Sequence, residues 1–585
     1  MKLRTRPVEQ SPAAPVVVPV QVRPLATAGG VQLGERVVAS GAITHAQLSE
    51  ALLQQPASGK RIGELLVELG ALDETGLADL LAEQLDLELV DLRSATSDPE
   101  CLHLVPETMA RSRGCLPLWR DDAGHLVVAT ADPTAELLHA LTAHTKEDVI
   151  LVVAPASDIR KGIDTHYRSV GAIEELVEAY SASNTQRKQV ALTSDITTDD
   201  APVVQVVNRI ITQALRDRAS DVHVEPQDTR LRIRFRIDGA LHDVISLPQD
   251  MGPALTSRIK IMAGMNIVER RRPQDGQIAM DVDGRAVDIR VSTTGTIWGE
   301  KVVLRVLDKS KPLYKLNELG MPRATHEAFS KLVRAPFGMV LCAGPTGSGK
   351  TTTLYATMSE INESQRNIMT IEDPVEYVFP SINQIQMNEQ AGLTFATGLK
   401  SILRQDPDVI LVGEIRDVET ARIATQSALT GHFVLSSLHA TDAVAALHRF
   451  LDMGIESFLI ASSVLAVVGQ RLVRRICDGC KTTYSPTPEE LEFYNEAGGT
   501  PKRKFYRGAG CNFCAGTGFS DRIGVYELLV VTPEIKRLVV GWATQDELRR
   551  MAVKQGMRTL RDEAVALVEQ NLTTIPEVVR HIYTA

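Results

Sequence analysis

Gly344-Pro345-Thr346-Gly347-Ser348-Gly349-Lys350-Thr351 satisfies the pattern G-x-x-x-x-G-K-[ST] at every position. The chemistry of such a stretch is anion binding. Its glycines let backbone N–H groups converge on a phosphate, and a helix that starts within it adds the positive end of its dipole. Lys350 reaches the terminal phosphates, Thr351 offers its hydroxyl to Mg²⁺, and Thr352 opens the following helix. The elements such a loop needs are in place. Met339-Val340-Leu341-Cys342-Ala343 reads as a buried strand before it, and Thr352 to Ile361 as a helix after it.

Carboxylates recur where a sheet would bring them to the same edge. Ile368-Met369-Thr370-Ile371 is a short apolar strand running into Glu372-Asp373-Pro374-Val375-Glu376, and one of these acids could orient or deprotonate an attacking water. Val409-Ile410-Leu411-Val412-Gly413-Glu414 is a second strand tipped by an acid, which places Glu414 to hold Mg²⁺ directly or through water. His432 and His439 flank a third, Phe433-Val434-Leu435. Lone histidines are more often structural than catalytic, but these end a strand of the same sheet.

Cysteine spacing gives the other strong signal. Cys477-x-x-Cys480 and Cys511-x-x-Cys514, with 30 residues between the pairs, suit tetrahedral Zn²⁺ in a structural site. Two redox pairs or idle thiols are the alternatives. Cys101, Cys115 and Cys342 read as buried singletons.

Upstream, Leu231, Ile233, Phe235 and Ile237 alternate with Arg230, Arg232, Arg234 and Arg236, and Asp238-Gly239 closes a hairpin. Such a row of arginines is either a solvated face or a set of phosphate contacts made across an interface. Pro202 opens a helix with one apolar face, Val203 to Leu215. Near the N-terminus, Gln32–Gln55 repeats as Arg61–Gln84 at an offset of 29 residues. The pairs Gly34/Gly63, Glu35/Glu64, Gly41/Gly70, Leu48/Leu77 and Gln55/Gln84 are identical, and Pro56 to Lys60 join the copies. Each copy reads helix, glycine turn, helix. Residues 85–167 read as a small α/β part.

The chain has 585 residues, 44% apolar and 23% charged, enough for several packed domains. Its net charge of −10 argues against a general nucleic-acid binder. No uncharged apolar run approaches the ~18 residues of a membrane span. With no convincing signal peptide and no disulfide framework, a cytoplasmic protein is expected. We expect a disordered arm over 1–30, an N-terminal domain over 31–167, a linker over 168–200, a second domain over 201–310 and an ATPase domain over 311–585 that includes a zinc segment, 477–514.

These residues together resemble the secretion ATPase superfamily, specifically type II secretion and type IV pilus assembly ATPases. The resemblance runs from Arg218-Ala219-Ser220-Asp221-Val222-His223-Val224-Glu225 through Gly344–Thr351, Ile371–Glu376 and Arg404–Asp417 to Thr430–His439, within a match covering about Pro202 to Ala585. It implies a multidomain α/β protein: a RecA-like core preceded by a PAS-like domain. It implies a homohexamer, hydrolysing ATP with Mg²⁺ to drive pilin or pseudopilin assembly, docked peripherally at the inner membrane on a platform protein. Residue by residue, it implies that Glu372 is the water-orienting acid, Glu414 the Walker B acid, and His432 with His439 a histidine box. Arg234 would reach a neighbouring subunit's phosphate, and Arg404 would be nucleotide-proximal; Lys400 stands where some relatives carry arginine. A DNA-transfer or helicase-type motor on the same core is the rival reading.

The duplicated pattern resembles the cyclic di-GMP-binding domain carried by some of these ATPases, whose motif opens Arg-Leu-Gly and closes with Gln. Arg61-Ile62-Gly63 and Gln84 match it in the second copy. Leu33, Gly34 and Gln55 match it in the first, where Gln32 replaces the arginine. A helical adaptor for a membrane partner is the alternative.

Overall fold

A computed structural model describes residues 33–39, 41–95, 97–167, 177, 202–282, 284–308 and 314–582. The expected arm over 1–30, the linker over 168–200, Gln32 and the side chain of Leu33 lie outside the described residues. The chain divides into two compact units, residues up to Tyr167 and from Arg168 onward.

In the first unit the repeat folds as two helix pairs, Leu33–Ala39 with His45–Ser58 and Ile62–Glu68 with Glu74–Leu85. Gly41 and Gly70 turn the chain with φ of 75° and 67°, a left-handed bend that glycine makes without strain. Thr44 caps one second helix through Gln47 N–H, and Asp73 caps the other through Gly76 N–H. Val37 and Leu66, equivalent in the repeat, share one buried cluster. The first hairpin's second helix runs on through Pro56 to Ser58, so the joint between the copies is shorter than the sequence suggests. Three strands follow, β1 (Cys115–Arg120), β2 (Leu126–Thr130) and β3 (Val149–Val153), with β2 central, antiparallel to β1 and parallel to β3. Cys101 and Cys115 are buried, as expected.

Among the described residues the second unit holds two large sheets and a two-stranded ribbon. The first is built from β4 (Asp221–Pro226), β5 (Arg230–Ile237), β6 (Ala240–Pro248), β7 (Gln274–Val282), β8 (Arg285–Thr296) and β9 (Gly299–Asp308). Its order is β6-β5-β4-β9-β8-β7, antiparallel throughout. The helices Pro202–Arg216 and Gly252–Met262 cover one face, burying Val206, Ile210, Ile233, Phe235 and Ile259 together. Alternation therefore turns the arginines of β5 to the other face.

The second sheet contains β10 (Gly338–Ala343), β11 (Ile368–Glu372), β12 (Asn383–Gln386), β13 (Val409–Val412), β14 (Phe433–Leu438), β15 (Val464–Ile476) and β18 (Phe519–Val530). Its order is β12-β11-β13-β14-β10-β15-β18, and only the β15–β18 pair is antiparallel. Helices pack on both faces, so β10, β13 and β14 are buried along their whole length and are almost wholly apolar. Between β15 and β18 a small ribbon, β16 (Lys481–Tyr484) and β17 (Phe505–Gly508), carries the paired cysteines at its ends. The α/β, multidomain fold class read from the sequence holds. No described helix is long and apolar enough to cross a membrane.

Candidate functional site

β10 ends at Ala343, the glycine loop turns, and the helix Lys350–Ile361 begins at Lys350, two residues earlier than the apolar pattern indicated. Gly347 and Gly349 hold φ of 77° and 87°, which other residues reach only with strain. A Cβ on Gly344 would lie 2.6 Å from the Gln470 carbonyl oxygen, so the loop is wrapped against β15. Gln470 is fully buried. Its amide donates to the Ser348 carbonyl at 2.7 Å, and its side-chain oxygen accepts from Thr353 Oγ1 at 2.9 Å. Pro345, Thr346 and Gly347 face solvent at the loop's tip, and Thr351 and Thr352 sit at the helix start.

Lys350 Nζ donates to the Gly344 and Pro345 carbonyls, each at 2.9 Å. Burial pushes its pKa below the usual lysine range, and Glu414 pulls the other way. Glu414 leaves β13 toward the same edge of the sheet. One of its oxygens pairs with Arg416; the other lies 3.2 Å from His439 Nε2. A lysine, an acid and a histidine thus meet beyond the C-terminal ends of parallel strands, where open α/β sheets bind ligands.

Glu372 ends β11 at this same edge, with its backbone against Gly413, but its carboxylate is occupied: 3% exposed, it accepts from Tyr355 Oη, from Thr370 Oγ1 at 2.6 Å and from Gln384 Nε2 at 3.1 Å. Two expected residues stand elsewhere. His432 lies at the start of β14 and His439 just past its end, so the two are separated by the length of a six-residue strand, ~20 Å. His432 Nδ1 packs at 3.0 Å from the Ser427 carbonyl instead. Arg404 precedes β13, at the opposite sheet edge from the loop, and donates to the Lys400 carbonyl at 2.9 Å. Lys400 is itself bound to Glu419 at 2.6 Å.

Arg234 is neither solvated nor free. Its Nε and Nη2 donate to Glu225 at 3.0 and 2.8 Å. Arg236 likewise faces Asp221 at 3.5 Å. Among the described residues no hydrogen bond or ion pair joins Arg234 to the phosphate loop of its own chain.

The four cysteines converge. Every pair of their sulfurs lies within 4.8 Å, with 3.8 Å for Cys477–Cys511, 3.8 Å for Cys480–Cys514 and 3.7 Å for Cys511–Cys514. Ligands ~2.3 Å from a tetrahedral Zn²⁺ stand about 3.8 Å apart, so the donor set fits that ion. These separations far exceed the ~2.05 Å of a disulfide, and all four are free. Backbone N–H groups of Cys511 and Gly518 point at Cys514 Sγ at 3.2 and 3.3 Å. Burial pushes Cys480 up to about 11 and Cys477 higher still, whereas the N–H groups of Cys511 and Gly518 outweigh burial and bring Cys514 down, so a bound cation is what would hold Cys477 and Cys480 as thiolates.

In the first unit, Gly34 and Gly63 lie in the first helix of each copy. Gly34 is in close contact with Leu48, whose Cδ1 a Cβ would meet at 2.8 Å. Gln55 is half-buried, while Gln84 Oε1 is buried with no hydrogen-bond partner among the described residues. Arg61 is not a free cation; it forms an ion pair with Asp132.

Sequence reasoning missed Gln470, Tyr355, Arg416 and Glu225. Only Glu225 had a signal. Asp221, His223 and Glu225 alternate on β4 with the same period of two as the arginines of β5 opposite them.

Strand, glycine loop, helix and edge carboxylate define a P-loop nucleoside-triphosphate hydrolase. Residues 196–580 match the Type II/IV secretion system protein family, and residues 85–173 match the MshEN domain, a range that begins just after the duplicated hairpins. The chain is 40% identical over 561 residues to the type IV pilus assembly ATPase PilB of Myxococcus xanthus, covering 94% of this chain and 98% of that one. It is 49% identical over 384 residues to the type II secretion system protein HxcR of Pseudomonas aeruginosa, covering 66% and 78%. A solved structure of MshE with cdg aligns to 24% of this chain and all of that one at 34% identity, with a TM-score of 0.22. The chain belongs to the type II/IV secretion ATPase family and is an ATP-hydrolysing enzyme.

Proposed function

We propose that this protein is a hexameric motor that couples ATP hydrolysis to assembly of pilins or pseudopilins, docked on an inner-membrane platform protein. The observation that carries this reading is the meeting of Lys350, Glu414 and His439 at one sheet edge in a chain 40% identical to a pilus assembly ATPase along almost its whole length. In it, Gly344 to Thr352 cradle the phosphates, and Lys350 stabilises charge on the transferred group. Thr351 and Glu414 hold Mg²⁺, which supplies neutralisation of the phosphate oxygens when bound. Glu372 serves as the water-orienting acid only if it leaves Tyr355, so its engagement belongs to a nucleotide-bound conformation. Arg404 faces away from its own loop, and any contact it makes with nucleotide is with a neighbour's.

Arg234 acts in trans as an arginine finger. Arg234→Ala is expected to cut hydrolysis at least about a hundredfold while leaving ATP affinity nearly unchanged. Mixing Arg234→Ala with Lys350→Ala subunits should restore part of the activity, because the first supplies an intact loop and the second an intact finger. Mixed hexamers that form but stay inactive would refute action in trans.

The first unit binds cyclic di-GMP through Leu33, Gly34 and Gln55 of one copy and Arg61, Ile62, Gly63 and Gln84 of the other. Two similar half-sites suit a ligand of two similar halves, and the unpartnered Gln84 oxygen offers an acceptor to a guanine N–H. Arg61 must exchange Asp132 for the ligand. With Gln32 in place of an arginine, binding should be weaker by one or two charge-assisted contacts, each about 1.5–3 kcal/mol. Calorimetry on the full chain should register binding that Arg61→Ala abolishes. No heat at high micromolar ligand would leave the adaptor role.

A further inference from the structure

On the face of the β4–β9 sheet turned away from its two helices, five cations crowd two carboxylates. Asp221 and Glu225 project from it, facing Arg232, Arg234 and Arg236 from β5 and Lys301 and Arg305 from β9. Glu225 takes the larger share. Its carboxylate is nearly buried and accepts from Arg232 Nη2 at 2.9 Å, from Arg234 Nε and Nη2 at 3.0 and 2.8 Å, and pairs with Lys301 at 3.1 Å. Although burial opposes ionisation, those three cations hold the carboxyl down at about 2.

The cross-strand register would pair Arg234 with His223, not with Glu225. Burial first, then Lys301 and Arg236, press His223 below the usual histidine range, which favours the neutral ring, and among the described residues neither of its ring nitrogens has a hydrogen-bond partner. It offers the guanidinium no charge. Arg234 therefore leans diagonally onto Glu225. That contact uses Nε and Nη2 and leaves Nη1 without a hydrogen-bond partner among the described residues, on a side chain that is 23% exposed. A guanidinium held by two hydrogen bonds on one edge has lost most of its rotamer freedom before any ligand arrives.

We propose that Glu225 is a positioning residue for hydrolysis: it clamps Arg234 so that the free edge of the guanidinium is already set toward a neighbouring subunit's phosphates. This rests on the reading of Arg234 as a finger acting in trans. Pre-set geometry lowers the barrier without tightening ground-state binding, because the entropy of ordering the arginine is lost at folding rather than in the transition state.

Glu225→Asp keeps the charge and withdraws the carboxylate by one methylene; Glu225→Gln keeps the shape and removes the charge. Both are expected to lower kcat by roughly tenfold or more with KM for ATP within about twofold, the split of an interaction made only in the transition state. In hexamers mixed with Lys350→Ala subunits, Glu225→Gln subunits should regain activity, since their own loop is intact and the neighbour's finger is sound. Damage confined to the fold of the mutant subunit would not be relieved this way. Adding Glu225→Asp to Arg234→Ala should cost nothing further. If Arg234→Ala alone leaves hydrolysis intact, the finger reading itself fails. If Arg234→Ala is inactive while Glu225→Asp, folded by its melting curve, keeps full kcat, the clamp is overturned. Multiplicative loss in the double variant overturns it too.

Discussion

Lys350→Ala is expected to all but abolish ATP hydrolysis and to leave the chain folded. In the proposed mechanism Lys350 is a preorganised donor to the transferred phosphoryl group, and losing one such donor costs about a hundred- to a thousandfold in kcat. The fold should tolerate the change because, among the described residues, the ammonium hydrogen-bonds only to the Gly344 and Pro345 carbonyls, at a loop whose tip is open to water that can replace it. Glu414→Gln separates the roles. The amide keeps the contact distance to His439 but loses the charge needed for Mg²⁺, so turnover should stop while ATP still binds. Phosphate release and binding of a fluorescent ATP analogue measure the two properties. Normal turnover in Lys350→Ala, or lost binding in a folded Glu414→Gln, contradicts these assignments.

The second large effect concerns the cysteines. Freshly purified protein should carry about one Zn²⁺ per chain, bound by Cys477, Cys480, Cys511 and Cys514. Cys480→Ser, or exhaustive chelation, should unfold the segment between β15 and β18. That segment's own core is small, with Tyr494 and Phe505 packed edge to face at 5.2 Å, and the four sulfurs close its two ends. Limited proteolysis should then cut between residues 478 and 518 at least tenfold faster, while the sheet around β10 stays protected. Metal-free protein that resists protease equally well would show that the cysteines need no ion.

How much was legible in the sequence follows from how local each feature is. The phosphate loop, its strand and its helix lie within about 25 consecutive residues, and pattern alone located them. The cysteine knuckles were legible for the same reason. Contacts made at long range were not. Gln470 supports a loop more than a hundred residues earlier, and nothing in its neighbourhood announces that. Glu372 and Arg404 were placed by motif, but a motif does not say which edge of a sheet a residue meets or whether its side chain is already satisfied. The arginine row showed its period but not its partners, which come from β4. Reading β4 and β5 side by side as complementary charge patterns would have found Glu225.

The long strand β15 has a mechanical meaning. It lies along β10 from Met339 to Ala343, touches the phosphate loop through Gln470, and continues to Ile476, with β18 bonded beside it nearly to the end. From Gln470 to Cys477 is seven residues, about 23 Å of extended chain. The ribbon is held at both ends. At the loop it is fixed through Gln470; further along, Arg474 pairs with Glu577 and the Ile476 N–H donates to the Leu572 carbonyl. It is a strut rather than a free arm, and a shift of the nucleotide loop is passed to the C-terminal helices and the cysteine module together.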